Sequence, residues 1–286
     1  MNKFTLPPWL ILDPLLQNWL SEDIGRGDHT TQALFTDNPP PQQAHWLAKE
    51  AGVIAGLPLA GRVFTLLNPD VEFLPLVNEG ESCTTGQAIA QIQGPLDALL
   101  MGERVALNLV MRLSGIASAT RRYVEQIQDL PTQLVDTRKT TPGLRLLEKY
   151  ATQVGGARNH RLGLDDAIMI KDNHIYGSGG IGPAITKIRQ TMPYLLTIEV
   201  ETSNLEEIAT AIAYGADVIM LDNMPIPAMI AGVKLIREKN SLIKIEASGN
   251  ITLETIRSVA ETGVDYISTS APITRSHWLD LSMRLL

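Results

Sequence analysis

The sequence predicts an α/β fold whose second half is an incomplete, strand-reduced β/α barrel, and two observations carry that expectation. From about residue 133, apolar and β-branched runs alternate with amphipathic helical stretches, the pattern of a parallel sheet with helices outside it. Each run also ends in polar, chemically capable residues, which converge on one place if the strands form a ring with their C-terminal tips on one face. The alternation stops near residue 272, short of the roughly 250 residues of a full eight-unit barrel. A barrel lacking strands, or incompletely closed, is therefore expected, although pattern alone leaves an open doubly wound sheet as an alternative.

Taken in order, the first 115 residues are mixed. Leu15 to Leu20 reads as helix, and the prolines at 7, 8 and 14 with Asp13 interrupt the apolar run Trp9 to Leu12. Ala44–Glu50, Val71–Leu76 and Ala88–Gln93 read as strands bounded by Gly, Pro and Asn turns. Leu96 to Gln128 carries apolar residues at helical spacing, with a break expected near Ser114-Gly115. The later strand runs are Gln133–Val135, Ala167–Ile170, Leu195–Val200, Asp217–Leu221, Leu242–Ile245 and Val264–Ile267. Helices are expected at about Gly143–Val154, Pro183–Thr191, Leu205–Tyr214, Pro225–Arg237 and Leu253–Glu261, with Gly215 and Gly263 as C-terminal stops.

Composition narrows the functional classes. The chain has 286 residues, 44% hydrophobic and 19% charged, with a net charge of -7. A pI near 5.3 argues against nucleic acid, which wants a broad basic face. The single cysteine, Cys83, lies in a polar, turn-like stretch and excludes a disulfide framework or a multi-thiolate metal site. No stretch is long and apolar enough to suggest a membrane span or a secretory core, and a cytoplasmic location is expected.

Within this acidic chain, positive charge gathers at strand ends: Val135-Asp136-Thr137-Arg138-Lys139-Thr140-Thr141-Pro142-Gly143, then Arg158-Asn159-His160-Arg161, then Ile170-Lys171-Asp172-Asn173-His174. Arginine grips a carboxylate through a planar fork and lysine gives phosphate a compact charge, so Arg138, Lys139 and Arg161 suit a small, highly charged anion. The alternative is a set of surface ion pairs with Glu148, Asp165 or Asp166. His160, between Asn159 and Arg161, either caps a turn or donates to the anion, and His174 either joins it or closes the turn after its strand. Glu201 and Asp222 end consecutive strands, whose parallel tips lie roughly 5 Å apart. They can share Mg²⁺, its water shell or a ribose, or form a salt bridge with Lys171. Glu199, two residues from Glu201, should share its face. Ser248-Gly249-Asn250 and Thr269-Ser270-Ala271 follow the last two strands, where small residues let backbone N–H groups approach a phosphate.

The string Asp136-Thr137-Arg138-Lys139-Thr140-Thr141-Pro142-Gly143-Leu144-Arg145, with Gly155-Gly156-Ala157-Arg158-Asn159-His160-Arg161 and Ile170-Lys171-Asp172-Asn173-His174, resembles the quinolinate phosphoribosyltransferases, also called nicotinate-nucleotide pyrophosphorylases (carboxylating). Glu22-Asp23-Ile24-Gly25-Arg26-Gly27-Asp28-His29-Thr30-Thr31 and Gly102-Glu103-Arg104-Val105-Ala106-Leu107-Asn108 extend the resemblance essentially end to end. One departure is Ser268-Thr269-Ser270-Ala271-Pro272, where many members carry glycine before the alanine.

The resemblance implies an N-terminal α/β sandwich domain over residues 1–115, a barrel domain over 116–272 and a segment, 273–286, that packs back on the N-terminal domain. It implies phosphoribosyl transfer from 5-phosphoribosyl 1-pyrophosphate to quinolinate with loss of CO₂, a step of NAD biosynthesis, with Mg²⁺ and no organic cofactor. Arg138, His160 and Arg161, with Thr137 in the same binding set, would hold the pyridine dicarboxylate. Arg104 would reach in from the other subunit of a homodimer with shared sites, and assembly beyond the dimer stays open. Lys139, Lys171, Glu201 and Asp222 would do the chemistry at the phosphoribosyl pyrophosphate and its Mg²⁺. Ser248, Gly249 and Asn250 with Thr269, Ser270 and Ala271 would cradle its 5′-phosphate. Two rivals stand beside this reading: a sibling enzyme acting on a monocarboxylate base, and a non-catalytic anion- or metal-binding accessory protein.

Overall fold

A computed structural model describes residues 4–35 and 40–286 and divides into two compact units. The first comprises the chain up to Arg121, Leu146–Gly155 and Arg275–Leu286; the second comprises Arg122–Arg145 and Gly156–Thr274. No described helix is long and apolar enough to cross a membrane.

The first unit opens with α1 (Trp9–Ile24) and α2 (His29–Leu34). The prolines do not break α1: Pro8 sits at its N-cap, and Pro14 lies inside it. The carbonyl that loses its partner at Pro14 belongs to Leu10, which is exposed, so water can replace the bond. Leu12, Leu16 and Leu20 form the buried stripe at helical spacing. Next come β1 (Pro41–Ala48), β2 (Gly52–Val53), α3 (Leu57–Leu67), β3 (Glu72–Pro75), β4 (Ser82–Cys83), β5 (Ala88–Pro95) and α4 (Leu96–Glu125). Cys83 is thus a buried strand residue and not part of an exposed turn. A four-stranded antiparallel sheet runs β12 (Leu281–Leu285), β1, β5, β3, and buries Trp46 against Phe64 and Phe73 at ring separations of 6.2 and 5.4 Å.

Helix α4 runs unbroken through Ser114-Gly115, contrary to the expected break. The Ser114 hydroxyl accepts from Ala55 N–H at 2.9 Å and donates to the Ala55 carbonyl at 3.2 Å. A Cβ on Gly115 would collide with the His277 carbonyl. The pair marks a close approach of backbones, for which glycine gives up about 1 kcal/mol of helix propensity.

The second unit is built from β6 (Gln133–Val135), α5 (Arg145–Gly155, of which only Arg145 belongs here), β7 (Ile168–Ile170), α6 (Asp172–Ser178), α7 (Ile181–Thr191), β8 (Ile198–Thr202), α8 (Leu205–Ala213), β9 (Val218–Asp222), α9 (Ile226–Lys239), β10 (Lys244–Ser248), α10 (Ile256–Ala260), β11 (Tyr266–Ser268) and α11 (Ala271–Thr274). Helix α6 had no counterpart in the sequence reading. The six strands pair in parallel in the order β6-β11-β10-β9-β8-β7. The edges β6 and β7 do not pair with each other among the described residues, so the ring is left incomplete. Beyond β6, Arg158 adds one parallel bridge to Val135.

Strand parity sorts the residues into two faces. Leu134, Ile170, Ile198, Val200, Ile219, Leu221, Ile245, Ala247 and Ile267 share one core with apolar residues of α7, α8, α9 and α10. The opposite face carries Glu199, Glu201, Asp222, Glu246, Ser248 and Ser268, with Glu201, Met220 and Glu246 level across β8, β9 and β10. Several strands therefore extend further toward their tips than hydropathy suggested. Leu195 and Leu242, read as strand starts, are exposed and lie outside the strands, whereas Glu201 and Glu246 lie within them.

Candidate active site

The site grows from the end of β6. Asp136 is buried, and its carboxylate accepts from the His160 N–H at 2.8 Å and from the Asn159 side-chain amide at 2.7 Å. With the Val135–Arg158 bridge, these bonds hold the segment carrying His160 and Arg161 against the strand. Arg145 ties the following loop in place, bonding Thr140 Oγ1 at 3.1 Å and the Leu162 carbonyl at 3.2 Å. Lys139 is exposed in that loop, and its N–H donates to Thr137 Oγ1 at 3.0 Å.

Arg138 and Arg161 are close enough that burial, and then the Arg138 charge, lower the Arg161 pKa from its ordinary value. Of the carboxylates in the surface-pair alternative, the Asp166 charge does act on Arg161, but among the described residues none lies within ion-pair distance of Arg138 or Arg161. Glu148 is bonded to Arg112 at 2.7 Å, and an Asp166 oxygen accepts from the Leu162 N–H at 2.9 Å. Arg161 itself donates to the Ala167 carbonyl at 2.9 Å, and the Arg138 Nε is buried with no hydrogen-bond partner. Two guanidinium groups that feel each other's charge, one with an orphaned buried donor, suit an anion that offers several oxygens.

His160, expected to cap a turn or donate to the anion, has partners of its own within the protein. Its Nδ1 accepts the Arg161 N–H at 2.7 Å, so the proton lies on Nε2, which faces Glu199 Oε2 at 3.0 Å and Glu246 Oε2 at 3.5 Å. Both ring nitrogens are thus engaged within the protein. Glu199 and Glu246 are buried, each with one oxygen lacking a partner. Burial, then the Glu199 charge, raises the Glu246 pKa above the glutamate range, so Glu246 retains a proton when exposed glutamates have lost theirs. The linkage is destabilising: the folded chain holds a proton that the unfolded chain releases as pH rises above its ordinary glutamate value. Glu246→Gln, which cannot ionise, is expected to be more stable than the native chain near neutral pH. Its thermal stability should also fall less between pH 5 and 8; equal slopes in that window would exclude a retained proton. In the sequence Asp136 and Glu246 stand only among the polar residues at strand ends, with no individual role. The usable signal was the i, i+2 relation of Glu246 to Ser248 on one strand face.

On the neighbouring strands, Lys171 Nζ donates to Glu201 Oε1 at 2.5 Å, the salt bridge expected as the alternative for Glu201. Lys171 is the N-cap residue of α6, and its N–H donates to His174 Nδ1 at 3.0 Å, which leaves the exposed His174 closing the turn. Asp222 ends β9, level with Ser248 of β10. Asn250 and Gly249 adopt positive φ of 50° and 102°. In the last loop, Thr269 Oγ1 accepts the Ala271 N–H at 3.2 Å, both residues are buried, and Ser270 is the half-buried member. Arg104 is exposed on α4, in the first unit.

Fixed cations and hard carboxylates at the tips of a parallel, incompletely closed ring define an enzyme of the barrel type with a strand-end site for a small polyanion. A family model described as the C-terminal domain of quinolinate phosphoribosyl transferase matches residues 116–284, and its N-terminal counterpart matches residues 28–114. This chain belongs to the quinolinate phosphoribosyltransferase family. A probable nicotinate-nucleotide pyrophosphorylase (carboxylating) of Synechocystis sp. is 61% identical over 281 residues, covering 98% of this chain and 95% of the relative. The human nicotinate-nucleotide pyrophosphorylase (carboxylating) is 39% identical over 98% of this chain and 93% of its own. Among solved structures, NadC from Streptococcus pyogenes superposes with a TM-score of 0.94 at 41% identity, covering 99% of each chain. The nicotinate-nucleotide pyrophosphorylase from Francisella tularensis gives 0.93 at 35% identity over 100% of each.

Proposed function

We propose that this enzyme joins quinolinate to 5-phosphoribosyl 1-pyrophosphate, releasing pyrophosphate and CO₂ and forming nicotinate mononucleotide for NAD biosynthesis. The observation that carries the reading is the Arg138–Arg161 pair, with its orphaned buried Nε, beside the Lys171–Glu201 pair and Asp222. Quinolinate bears carboxylates on adjacent ring carbons, and two arginine forks match two such groups better than one lysine would.

In this mechanism Arg138 and Arg161 hold the dicarboxylate so that the ring nitrogen faces the ribose C1. Thr137 and the Asp136-anchored segment fix the height of that grip. His160, engaged by Glu199, acts by positioning Arg161 and not by contacting the ring. Lys139 and Lys171 offset the negative charge that builds on the departing pyrophosphate. The C1–O bond breaks with the electron pair leaving on pyrophosphate, C1 becomes oxocarbenium-like, and the ring nitrogen donates its pair to C1; orientation supplies much of the acceleration. The cationic nitrogen then stabilises the electron pair left on the adjacent ring carbon as its carboxylate departs as CO₂, and that pair takes up a proton. Ser248, Gly249 and Asn250 with Thr269, Ser270 and Ala271 hold the 5′-phosphate.

The donor set of Glu201 and Asp222, two carboxylates on one sheet face at neighbouring strands, fits Mg²⁺, which prefers one or two carboxylates with phosphate oxygens and would offset pyrophosphate charge when bound. The active form is a homodimer in which the exposed Arg104 completes the dicarboxylate site of the partner subunit.

Quinolinate labelled in its 2-carboxylate should release labelled CO₂ only when phosphoribosyl pyrophosphate and Mg²⁺ are both present. Absence of label would leave a monocarboxylate-specific sibling or a binding protein as the answer. Mixing inactive Arg104→Ala with inactive Lys139→Ala subunits in equal amounts should restore up to about a quarter of the activity, since half of the dimers are then hybrids and one of the two sites in each is intact. No recovery would exclude the shared site.

A further inference from the structure

One residue beside Asp222 has a conformation and a set of bonds that the reaction as described does not use. Asn223 has φ of 52° and Asn250 φ of 50°, the two positive-φ residues other than glycine among those described. A left-handed backbone is uncommon outside glycine, and at two neighbouring strand tips it is held by the surroundings. The bonds that hold it form a chain of fixed polarity. The Asn250 Nδ2 donates to Asn223 Oδ1 at 3.1 Å, and the Asn223 Nδ2 donates to Asp222 Oδ2 at 2.9 Å. The Asn223 backbone N–H donates to the Ser248 carbonyl at 2.9 Å. Gly249 completes the arrangement, because a Cβ there would collide with the Asn223 side-chain oxygen.

We infer that Asn223 is a positioning residue that aims the Asp222 carboxylate and locks it to the Ser248–Asn250 loop, so that the acid and the phosphate loop act as one unit. The inference rests on the proposed function and adds a residue to it. Asn250 fixes which end of the Asn223 amide faces Asp222, so one Asp222 oxygen is held by an N–H and the carboxylate plane is set. The glycine at 249 is required twice, by its φ of 102° and by the room it leaves for that amide. Such outer partners of ligating carboxylates typically change metal affinity or activity 10- to 100-fold when replaced.

The test uses the full chain and phthalate, which has quinolinate's adjacent carboxylates but no ring nitrogen, so no turnover occurs. Calorimetric titration of phosphoribosyl pyrophosphate with Mg²⁺, in saturating phthalate, reports the phosphate side; titration of phthalate alone reports the arginine side. Asn223→Gly keeps the left-handed backbone and removes the amide. Asn223→Asp keeps the shape and turns an oxygen toward Asp222 Oδ2. Both variants are expected to bind phthalate like the native enzyme and to weaken Mg²⁺-dependent phosphoribosyl pyrophosphate binding by about tenfold or more, Asp more than Gly. Mg²⁺-dependent binding within twofold of native in both variants would overturn the inference, as would equal weakening for phthalate, which marks a merely structural role. Should the glycine variant not fold, the near-isosteric aspartate variant decides alone. Failure of the native enzyme to bind phosphoribosyl pyrophosphate sinks the proposed function instead, and is read from the native arm by itself.

Discussion

Replacing Arg138 by alanine is expected to lower kcat/KM for quinolinate by about 10²–10³-fold while leaving the fold intact. Removing one partner of a desolvated, hydrogen-bonded charge pair costs about 2–5 kcal/mol, and each 1.4 kcal/mol is tenfold. The loss should appear in kcat as well as in KM, because a dicarboxylate held by one fork can rotate and the ring nitrogen then misses C1. In the protein alone Arg138 has a buried Nε without a partner and a like-charged neighbour in Arg161. The alanine variant should therefore melt no lower than the native chain, and the separation of activity from stability is the diagnostic part of the result. Arg138→Lys should recover little, since a point charge does not replace a planar fork. A kcat/KM within threefold of native would remove Arg138 from the site.

The second large effect concerns stability. Glu148→Ala is expected to destabilise the first unit by about 3–5 kcal/mol, the usual result of removing one member of a buried ion pair. The Glu148 side chain is 0% exposed, and its Oε1 accepts from Arg112 Nε at 3.1 Å and Nη2 at 2.7 Å, while Arg112 Nη1 reaches Ser276 Oγ at 3.0 Å. These bonds join α4, α5 and the chain just before β12, so the alanine affects three separate stretches of sequence at once. Arg112→Met combined with Glu148→Leu should be less destabilised than Glu148→Ala, because apolar partners leave no buried charge behind. Denaturant titration measures both; a single variant losing less than about 1 kcal/mol would show the pair to be of the weak, solvated kind.

How much of this was legible in the sequence depended on which face a residue occupies. The helix-facing residues of β8, β9 and β10 (Ile198, Val200, Ile219, Leu221, Ile245, Ala247) stand out as apolar, and the parallel pairing follows from the alternation of strands with helices. The charges at the tips were visible for the same reason, as interruptions of apolar runs. The polar residues within the strands were harder to place. A charged residue reads as the end of a strand, yet Glu201 and Glu246 lie inside β8 and β10 because the opposite face of this ring is polar. The engagement of His160 by Glu199 and Glu246 joins three segments far apart in sequence, and no spacing rule encodes it. In the first unit, Pro14 and Gly115 were read by their usual local effect. Each is accommodated instead by its surroundings, exposure of Leu10 in one case and the His277 carbonyl in the other.

The pairing of β12 with β1 has a consequence for biogenesis. The sheet that begins at Pro41 receives its outer strand from Leu281–Leu285, so the intervening second unit is synthesised before this sheet is complete. Until Leu281–Leu285 emerge, β1 presents an unpaired backbone edge, open to strand addition by another nascent chain. Closing so long a loop also makes this contact slow to form. Deletions or strand-breaking substitutions within Leu281–Leu285 should therefore act first on the yield of folded protein, before they act on any property of the strand-tip site.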